Sequence, residues 1–308
     1  MKIENMIDFI GDIHGHADLL EQLLTKLGYS KCNGGYAHPT RKVLFVGDYV
    51  DRGPKIRETL QIVRGMVESG NAIALMGNHE YNALCFHFQE TEGGHLRKHE
   101  IKNIIQHYET LKQFENRQAE YEDYLDWFKT LPLYYETETF KAVHASWDNQ
   151  HIEYLRDSLM NDRLTDELIY QSVKKGSKLN LAVEETLKGK EIKMPNGLFF
   201  NDHQGTQRTE FRIKWWEDPA KMTYKSISVE HLESLPNQSI ELSELSSLEF
   251  HGEDEKNVFF GHYWFKNNPA IIKGNVCCLD YSVAKGGKLV AYRYDGESVL
   301  SNGKLIYV

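Results

Sequence analysis

Three short clusters of ionisable residues mark the N-terminal part of the chain. Gly11-Asp12-Ile13-His14-Gly15 follows the apolar run MIDFI, Gly47-Asp48-Tyr49-Val50-Asp51-Arg52-Gly53 follows KVLFV, and Gly77-Asn78-His79-Glu80 follows NAIALM. At an extended strand end, residues i and i+2 point to the same face. Asp12 and His14 can therefore offer an oxygen and a nitrogen to one divalent transition metal. Asp48 ends its run as Asp12 does, with Asp51 and Arg52 in the turn beyond. Asn78 and His79 are polar groups at the end of an apolar stretch and need partners. Taken singly, each cluster fits an ordinary role: a capping Asp, an Asp-Arg ion pair, an N-cap Asn. Independent capping does not account for three successive runs, each ending in Gly, then Asp, Asp or Asn, then His or Arg.

The elements that must hold these clusters can be read from periodicity. Residues 6–13 read as a buried strand, and residues 17–28 as a helix on Leu19, Leu20, Leu23, Leu24 and Leu27 with Gly28 as its stop. KVLFVGDYV is a second strand, residues 56–68 a second helix and NAIALMGN a third strand. This β-α-β-α-β series predicts parallel pairing with helical crossovers, which puts chemistry at the carboxyl ends of the strands. Residues 97–129 read as helical, and the charge-rich stretch from His95 to Arg117 as a surface helix. LPLYYETETFKAVHAS reads as two strands about a turn, 150–190 as mostly helical, and 195–257 as mixed. NVFFGH, AIIKG, NVCCLD, KLVAYRY and KLIYV read as short late strands.

Composition narrows the function classes. With 308 residues, 41% hydrophobic and 26% charged, the chain is neither disordered nor a small disulfide scaffold. A net charge of −9 argues against a broad nucleic-acid surface, so no specific nucleic-acid binding is expected and a nuclease is disfavoured. The four cysteines form no C-x-x-C, which reads as free thiols in a reducing compartment. There is no signal-peptide pattern and no apolar run long enough to span a bilayer, so a cytoplasmic protein without a membrane partner is expected.

GDIHG, GDYVDRG and GNHE resemble, as a set, the three signature blocks of calcineurin-like metallophosphoesterases. The DRG and GNHE forms are closer to the phosphoprotein phosphatase branch, which includes serine/threonine phosphatases and bacterial diadenosine tetraphosphatases. Two later blocks extend the resemblance: Ala142-Val143-His144-Ala145-Ser146 and Phe259-Phe260-Gly261-His262, with Trp264 where many members carry a second His. Leu279-Asp280-Tyr281-Ser282-Val283-Ala284 with Gly286-Gly287-Lys288-Leu289 resembles the closing strand pair, and residues 189–216 resemble a site-bordering segment of bacterial members.

The resemblance implies an α/β fold: a two-sheet β-sandwich flanked by helices, with a largely helical insertion. The early parallel strands would form one sheet, and the strands from about residue 257 onward would complete the other. One domain, 1–308, would carry a specificity insertion at about 150–257. Two divalent metal ions are implied, manganese first, with iron, zinc or cobalt as alternatives. Asp12, His14 and Asp48 would hold one ion, and Asp48, Asn78, His144 and His262 the other, with Asp48 as the bridge. A metal-bridging hydroxide would attack phosphorus. Arg52 and Asn78 would bind phosphate, with Arg212 preferred over Arg208 as a further contact. His79 would be the general acid, oriented by Asp51, and Asp280 a supporting residue. The remaining ten histidines, His107 and His203 among them, lack ligand spacing and read as structural or solvent-facing. Trp147, Trp215, Trp216, Tyr263 and Trp264 lie near the blocks as core or as stacking platforms. The function expected first is hydrolysis of phosphomonoesters, on a phosphorylated peptide or a small phosphoester. A nucleotide substrate of the dinucleoside polyphosphate type is the alternative, and a non-catalytic scaffold is the third reading.

Overall fold

The computed structural model describes residues 6–91, 93–201, 205, 207–241, 245 and 248–308. His203 lies outside these residues.

β1 (Ile7–Ile10) is buried along its length. α1 (Ala17–Lys26) follows and buries Ala17, Leu20, Leu23 and Leu24. After a small hairpin, β2 (Ser30–Cys32) and β3 (Gly35–Ala37), come β4 (Lys42–Phe45), α2 (Ile56–Glu68) and β5 (Ala72–Ala74). Three helices lead on: α3 (Asn78–His87), α4 (Ile101–Gln113) and α5 (Gln118–Phe128). β6 (Tyr134–Glu136) and β7 (Phe140–Val143) pair before the insertion. The insertion opens on helices α6 (Asn149–Ser158), α7 (Asp166–Ser172) and α8 (Lys178–Lys188). It continues as β8 (Glu191–Lys193), β9 (Phe200–Asn201), β10 (Gln207–Arg208), β11 (Glu210–Arg212) and the single turn α9 (Tyr224–Ile227). The chain closes with β12 (Asn257–Phe260), β13 (Val276–Cys278), β14 (Asp280–Tyr281), β15 (Lys288–Tyr294) and β16 (Leu305–Tyr307).

Two sheets face one another. The larger runs β14-β15-β1-β4-β5, with β16 on β15; the smaller runs β13-β12-β7-β6. β1, β4 and β5 are parallel, as the crossover helices require, while β15 lies antiparallel to β1 with Ile7 opposite Tyr294. Alternate strand residues fill the space between the sheets: Phe9, Leu44, Val290 and Tyr292 from one, Phe140, Ala142, Phe259 and Cys277 from the other. Phe9 stacks on Phe259 at 3.7 Å. The opposite faces, with Ile10, Val43 and Phe45, join a larger cluster with Leu20, Leu23, Leu60 and Val63 of the helices. The insertion has its own small core around Ile192, Met194, Phe211, Ile213, Tyr224 and Ile227.

Several local expectations need correction. The late strands split between the sheets: β12 and β13 join the smaller one, but β14, β15 and β16 extend the larger, because β1 would otherwise expose an edge. AIIKG is not a strand. β12 and β13 are parallel neighbours, so the chain between them must cross over, and only Lys273 makes a single bridge to Val276. The third strand stops at Ala74, and Asn78 already begins α3. Asp8, inside the first apolar run, is fully buried; it accepts bonds from Arg41 (3.1 Å), Arg293 (3.0 Å) and Tyr29 (3.0 Å).

Candidate functional site

The three glycine-led turns are tied together by backbone and by one carboxylate. The amides of Ile13 and His14 both donate to the Asp48 carbonyl, at 3.1 and 2.9 Å. The buried Glu80 joins the second turn to the third. Its Oε1 accepts from Tyr49 N (2.8 Å) and Val50 N (3.2 Å), and its Oε2 from Asp48 N (2.9 Å) and Gly77 N (3.0 Å). These bonds hold the left-handed residues His14 (φ 46) and Asp48 (φ 57), which would otherwise be strained; Asp51 (φ 68) and Arg52 (φ 70) follow in the same turn, where the Asp51 amide donates to Thr110 Oγ1 at 3.0 Å. The turns also pack too closely for side chains at the glycines. A Cβ on Gly77 would lie 2.3 Å from the Asp48 amide.

The Asp48 carboxylate sits at the centre and faces two ways. Its Oδ2 is 3.5 Å from His14 Nε2, and its Oδ1 is 3.4 Å from His144 Nε2. Both imidazoles are oriented from behind, because a carbonyl can only accept. His14 Nδ1 donates to Val50 O (3.0 Å) and His144 Nδ1 to Val46 O (2.8 Å), so both Nε2 atoms point inward. Asn78 Oδ1 lies 3.0 Å from His144 Nε2 and 2.8 Å from His262 Nδ1. Two clusters of convergent donor atoms thus share Asp48: His14, Asp48 and His79 on one side, Asp48, His144 and His262 on the other. Asp12 adjoins them, with its carboxylate turned to the His262 amide at 3.1 Å.

The electrostatics call for cations here. Burial, then the charges of Asp280 and Asp48, push the Asp12 carboxyl well above its usual range. Burial, then the neighbouring His79, holds His14 down to about 3, leaving a neutral ring with an unpartnered buried Nε2. Burial opposes a proton on His144, but Asp48 and Asp12 outweigh it and raise the group to about 10. The buried Nε2 of His262 also has no partner. A buried donor set of carboxylate, amide oxygen and imidazole fits divalent transition ions.

Beside this cluster, His79 Nδ1 lies 2.5 Å from Asp51 Oδ2. Asp51 Oδ1 accepts from Thr110 Oγ1 (2.6 Å) and His107 Nδ1 (2.7 Å), and His107 Nε2 is 2.8 Å from Tyr121 OH. Burial would raise the Asp51 carboxyl, but His107 and then His79 hold it well below the carboxylate range. Burial would lower His79, yet Asp48 and Asp51 leave it raised. α4 is therefore not simply a surface helix. His107 and Thr110 are buried against Asp51, and Gln113 reaches Gly53 O (3.1 Å) and the amide of Ile56 (2.6 Å).

Arg52 lies with its guanidinium 4.2 Å from the Trp264 ring centroid. Arg212 sits on β11 with its Nε 3.5 Å from Glu191 Oε1, and after burial its charge is the largest influence depressing His262. Arg208 lies in the exposed strand β10. Asp280 is buried and binds the amides of Trp264 (2.7 Å) and Ser282 (2.9 Å). Trp147, Trp215, Trp216 and Tyr263 are core residues, whereas Trp264 is only partly covered.

Residues 6–263 match the family described as calcineurin-like phosphoesterase. The chain belongs to that family. The family implies a dinuclear divalent-metal site, for which the two clusters on Asp48 are the candidate ligands. The asymmetrical bis(5'-nucleosyl)-tetraphosphatase PrpE of Oceanobacillus iheyensis is 33% identical over 140 residues, 45% of this chain and 54% of that protein. The chain spans about half the length, or less, of the first asymmetrical relatives. The symmetrical bis(5'-nucleosyl)-tetraphosphatase of Neisseria meningitidis is 25% identical over 296 residues, 94% of this chain and 92% of that one. Among solved structures, the cold-active protein-tyrosine phosphatase of a psychrophilic Shewanella gives a TM-score of 0.49 at 19% identity, over 96% of this chain and 80% of that one. Among the described residues, no helix is long and apolar enough to cross a membrane.

For this metallophosphoesterase, His107 and Thr110 are the site-supporting residues that spacing to the other histidines does not reveal. The signal for them is helical: His107, Thr110 and Gln113 recur every three residues, a polar stripe on one face of α4.

Proposed function

We propose that this chain hydrolyses dinucleoside polyphosphates at a dinuclear divalent-metal centre. One observation carries the dinuclear part: the Asp48 carboxylate turns one oxygen to His14 and the other to His144. Asp12, His14 and Asp48 would hold one ion; Asp48, Asn78, His144 and His262 would hold the other. Manganese is the ion proposed, since the oxygen and nitrogen donors suit it. Ions bound there would activate water and neutralise phosphate oxygens. The substrate part rests on the relatives named bis(5'-nucleosyl)-tetraphosphatase, one of which aligns with 94% of this chain. They support the dinucleotide reading over the phosphomonoester reading.

The chain's own residues supply the rest. Arg52 offers a planar fork to two phosphate oxygens. Asn78 is a further phosphate contact, and Arg212 approaches from the insertion. His79 has its Nδ1 engaged by Asp51, so Nε2 is the atom that faces the centre, 4.0 Å from Asp48 Oδ2. It gives a proton to the leaving oxygen, and Asp51 keeps the ring oriented and charged. Asp280 supports the turn that carries Trp264. The chain acts as one domain in which residues 150–257 wall the site.

The test compares three substrates on chelator-stripped, manganese-reloaded protein: diadenosine tetraphosphate, a phosphoserine peptide and a phosphotyrosine peptide. Nucleotide products are read by chromatography and phosphate by release. Preferential cleavage of the dinucleotide is expected. Turnover of the peptides alone would overturn the reading in favour of a phosphomonoesterase.

A further inference from the structure

In a protein of net charge −9, the surface beside the centre turns basic. The Trp264 ring lies 4.2 Å from the Arg52 guanidinium and 4.2 Å from Lys285 Nζ, and its centroid is 5.7 Å from that of His14. Cations so placed interact favourably with an indole face. One carboxylate builds this arrangement. Asp280 binds the amides of Trp264 and Ser282, and both residues take left-handed backbone, φ 55 and φ 59. Asp280 thus clamps two strained turns. One bears Trp264, and the other leads into the single helical turn that ends at Lys285.

Lys285 is also at the rim of a cavity of about 540 Å³, lined by Lys266, Asn268, Ser282 and Lys288 as well. That volume lies within the range of small-molecule sites. Lys288 Nζ donates to Asn268 Oδ1 at 2.7 Å. Among the described residues, none of Arg52, Lys266, Lys285 and Lys288 has a carboxylate within ion-pair distance; Asp280 and Glu230 act on Lys285 only from farther away. Burial, then Arg52 and Lys266, depress the Lys285 ammonium, and the more distant Asp280 and Glu230 offset this only in part.

A substrate with a single phosphate is served by the centre and Arg52, and it leaves this strip of cations unused. We infer that the cavity is the distal half of the substrate site, taking the phosphates that lie beyond the bond being cut and the nucleoside attached to them. The inference rests on the dinucleoside polyphosphate reading and deepens it. Trp264 is the wall between the two halves, and Lys285 is the first distal phosphate contact.

The probes are inorganic tripolyphosphate and orthophosphate, titrated calorimetrically into the manganese-loaded protein. Tripolyphosphate affinity should fall about ten-fold in Lys285→Ala and again about ten-fold in a Lys266→Ala/Lys288→Ala double variant, with orthophosphate affinity changed less than two-fold in the double variant. The ratio of kcat/KM on diadenosine tetraphosphate to that on p-nitrophenyl phosphate should fall by a similar factor. Unchanged tripolyphosphate affinity in the double variant overturns the proposal, because Lys285 would then act only through Trp264 and Arg52. Equal losses for both anions overturn it too. If the wild-type protein cleaves only monoesters, the proposed function fails, and the tripolyphosphate titration still decides the cavity.

Discussion

Replacing Glu80 by glutamine tests the joint that aligns the metal centre. Glu80 is fully buried, and each carboxylate oxygen accepts two backbone amides at 2.8 to 3.2 Å. Glutamine keeps the size but places an NH₂ where one oxygen was. Whichever way the amide turns, two backbone N–H groups then face another donor. A buried donor left unpaired costs about 1–3 kcal/mol, so two cost roughly 2–6 kcal/mol. Relief from burying a charge offsets part of this, which leaves an expected loss of about 2–4 kcal/mol. The assay is urea unfolding of chelator-stripped Glu80→Gln and wild-type protein, followed by circular dichroism. Asp48 N and Gly77 N hang on the same oxygen. The same variant should therefore bind manganese at least about ten-fold more weakly by calorimetry. A loss below about 1 kcal/mol with unchanged ion affinity would refute the claim that this carboxylate sets the geometry of Asp48 and Asn78.

Asp51→Asn should lower turnover by about 10²–10⁴-fold. Because the Asp51 charge helps raise His79, which acts protonated, its removal lets the proton leave at lower pH. The alkaline limb of the kcat/KM profile should move to lower pH, and an unmoved limb would contradict the pairing. His107→Phe removes one of the bonds on Asp51 Oδ1 but leaves the carboxylate charge that holds the His79 proton, so kcat should fall about ten-fold with KM held and the alkaline limb should not move to lower pH; an unchanged kcat would make α4 a packing element only. Asp8→Asn leaves Arg41 and Arg293 facing a neutral amide in the sheet and should cost about 3–5 kcal/mol in urea unfolding.

How much of this was legible in the chain depends on what each feature rests on. The parallel core β1-β4-β5 follows from apolar runs, crossover helices and glycine-led ends, because all three signals are local in sequence. Asp48, Asn78, His144 and His262 come together in the structure from four separate segments, and the blocks that hold them are each local in sequence. The antiparallel insertion of β15 beside β1 depends on which edge needs covering, and nothing within residues 288–294 states that. His107 was obscured for a similar reason. Its partner Asp51 is fifty-six positions away, and α4 carries Ile101, Ile104, Ile105 and Tyr108 exposed on its surface while burying His107 and Thr110. Burial on that helix follows the tertiary partner and not hydrophobicity. Trp264 could be singled out by position, but its contacts with Arg52 and Lys285 require three separate turns to meet.

The most direct test of the account is the number of divalent ions held per chain. Chelator-stripped wild-type protein titrated calorimetrically with manganese should bind two equivalents, and Asp48→Asn, which removes the bridging charge, should bind one or none. A single equivalent in the wild type, or two in Asp48→Asn, would contradict the dinuclear centre built on Asp48.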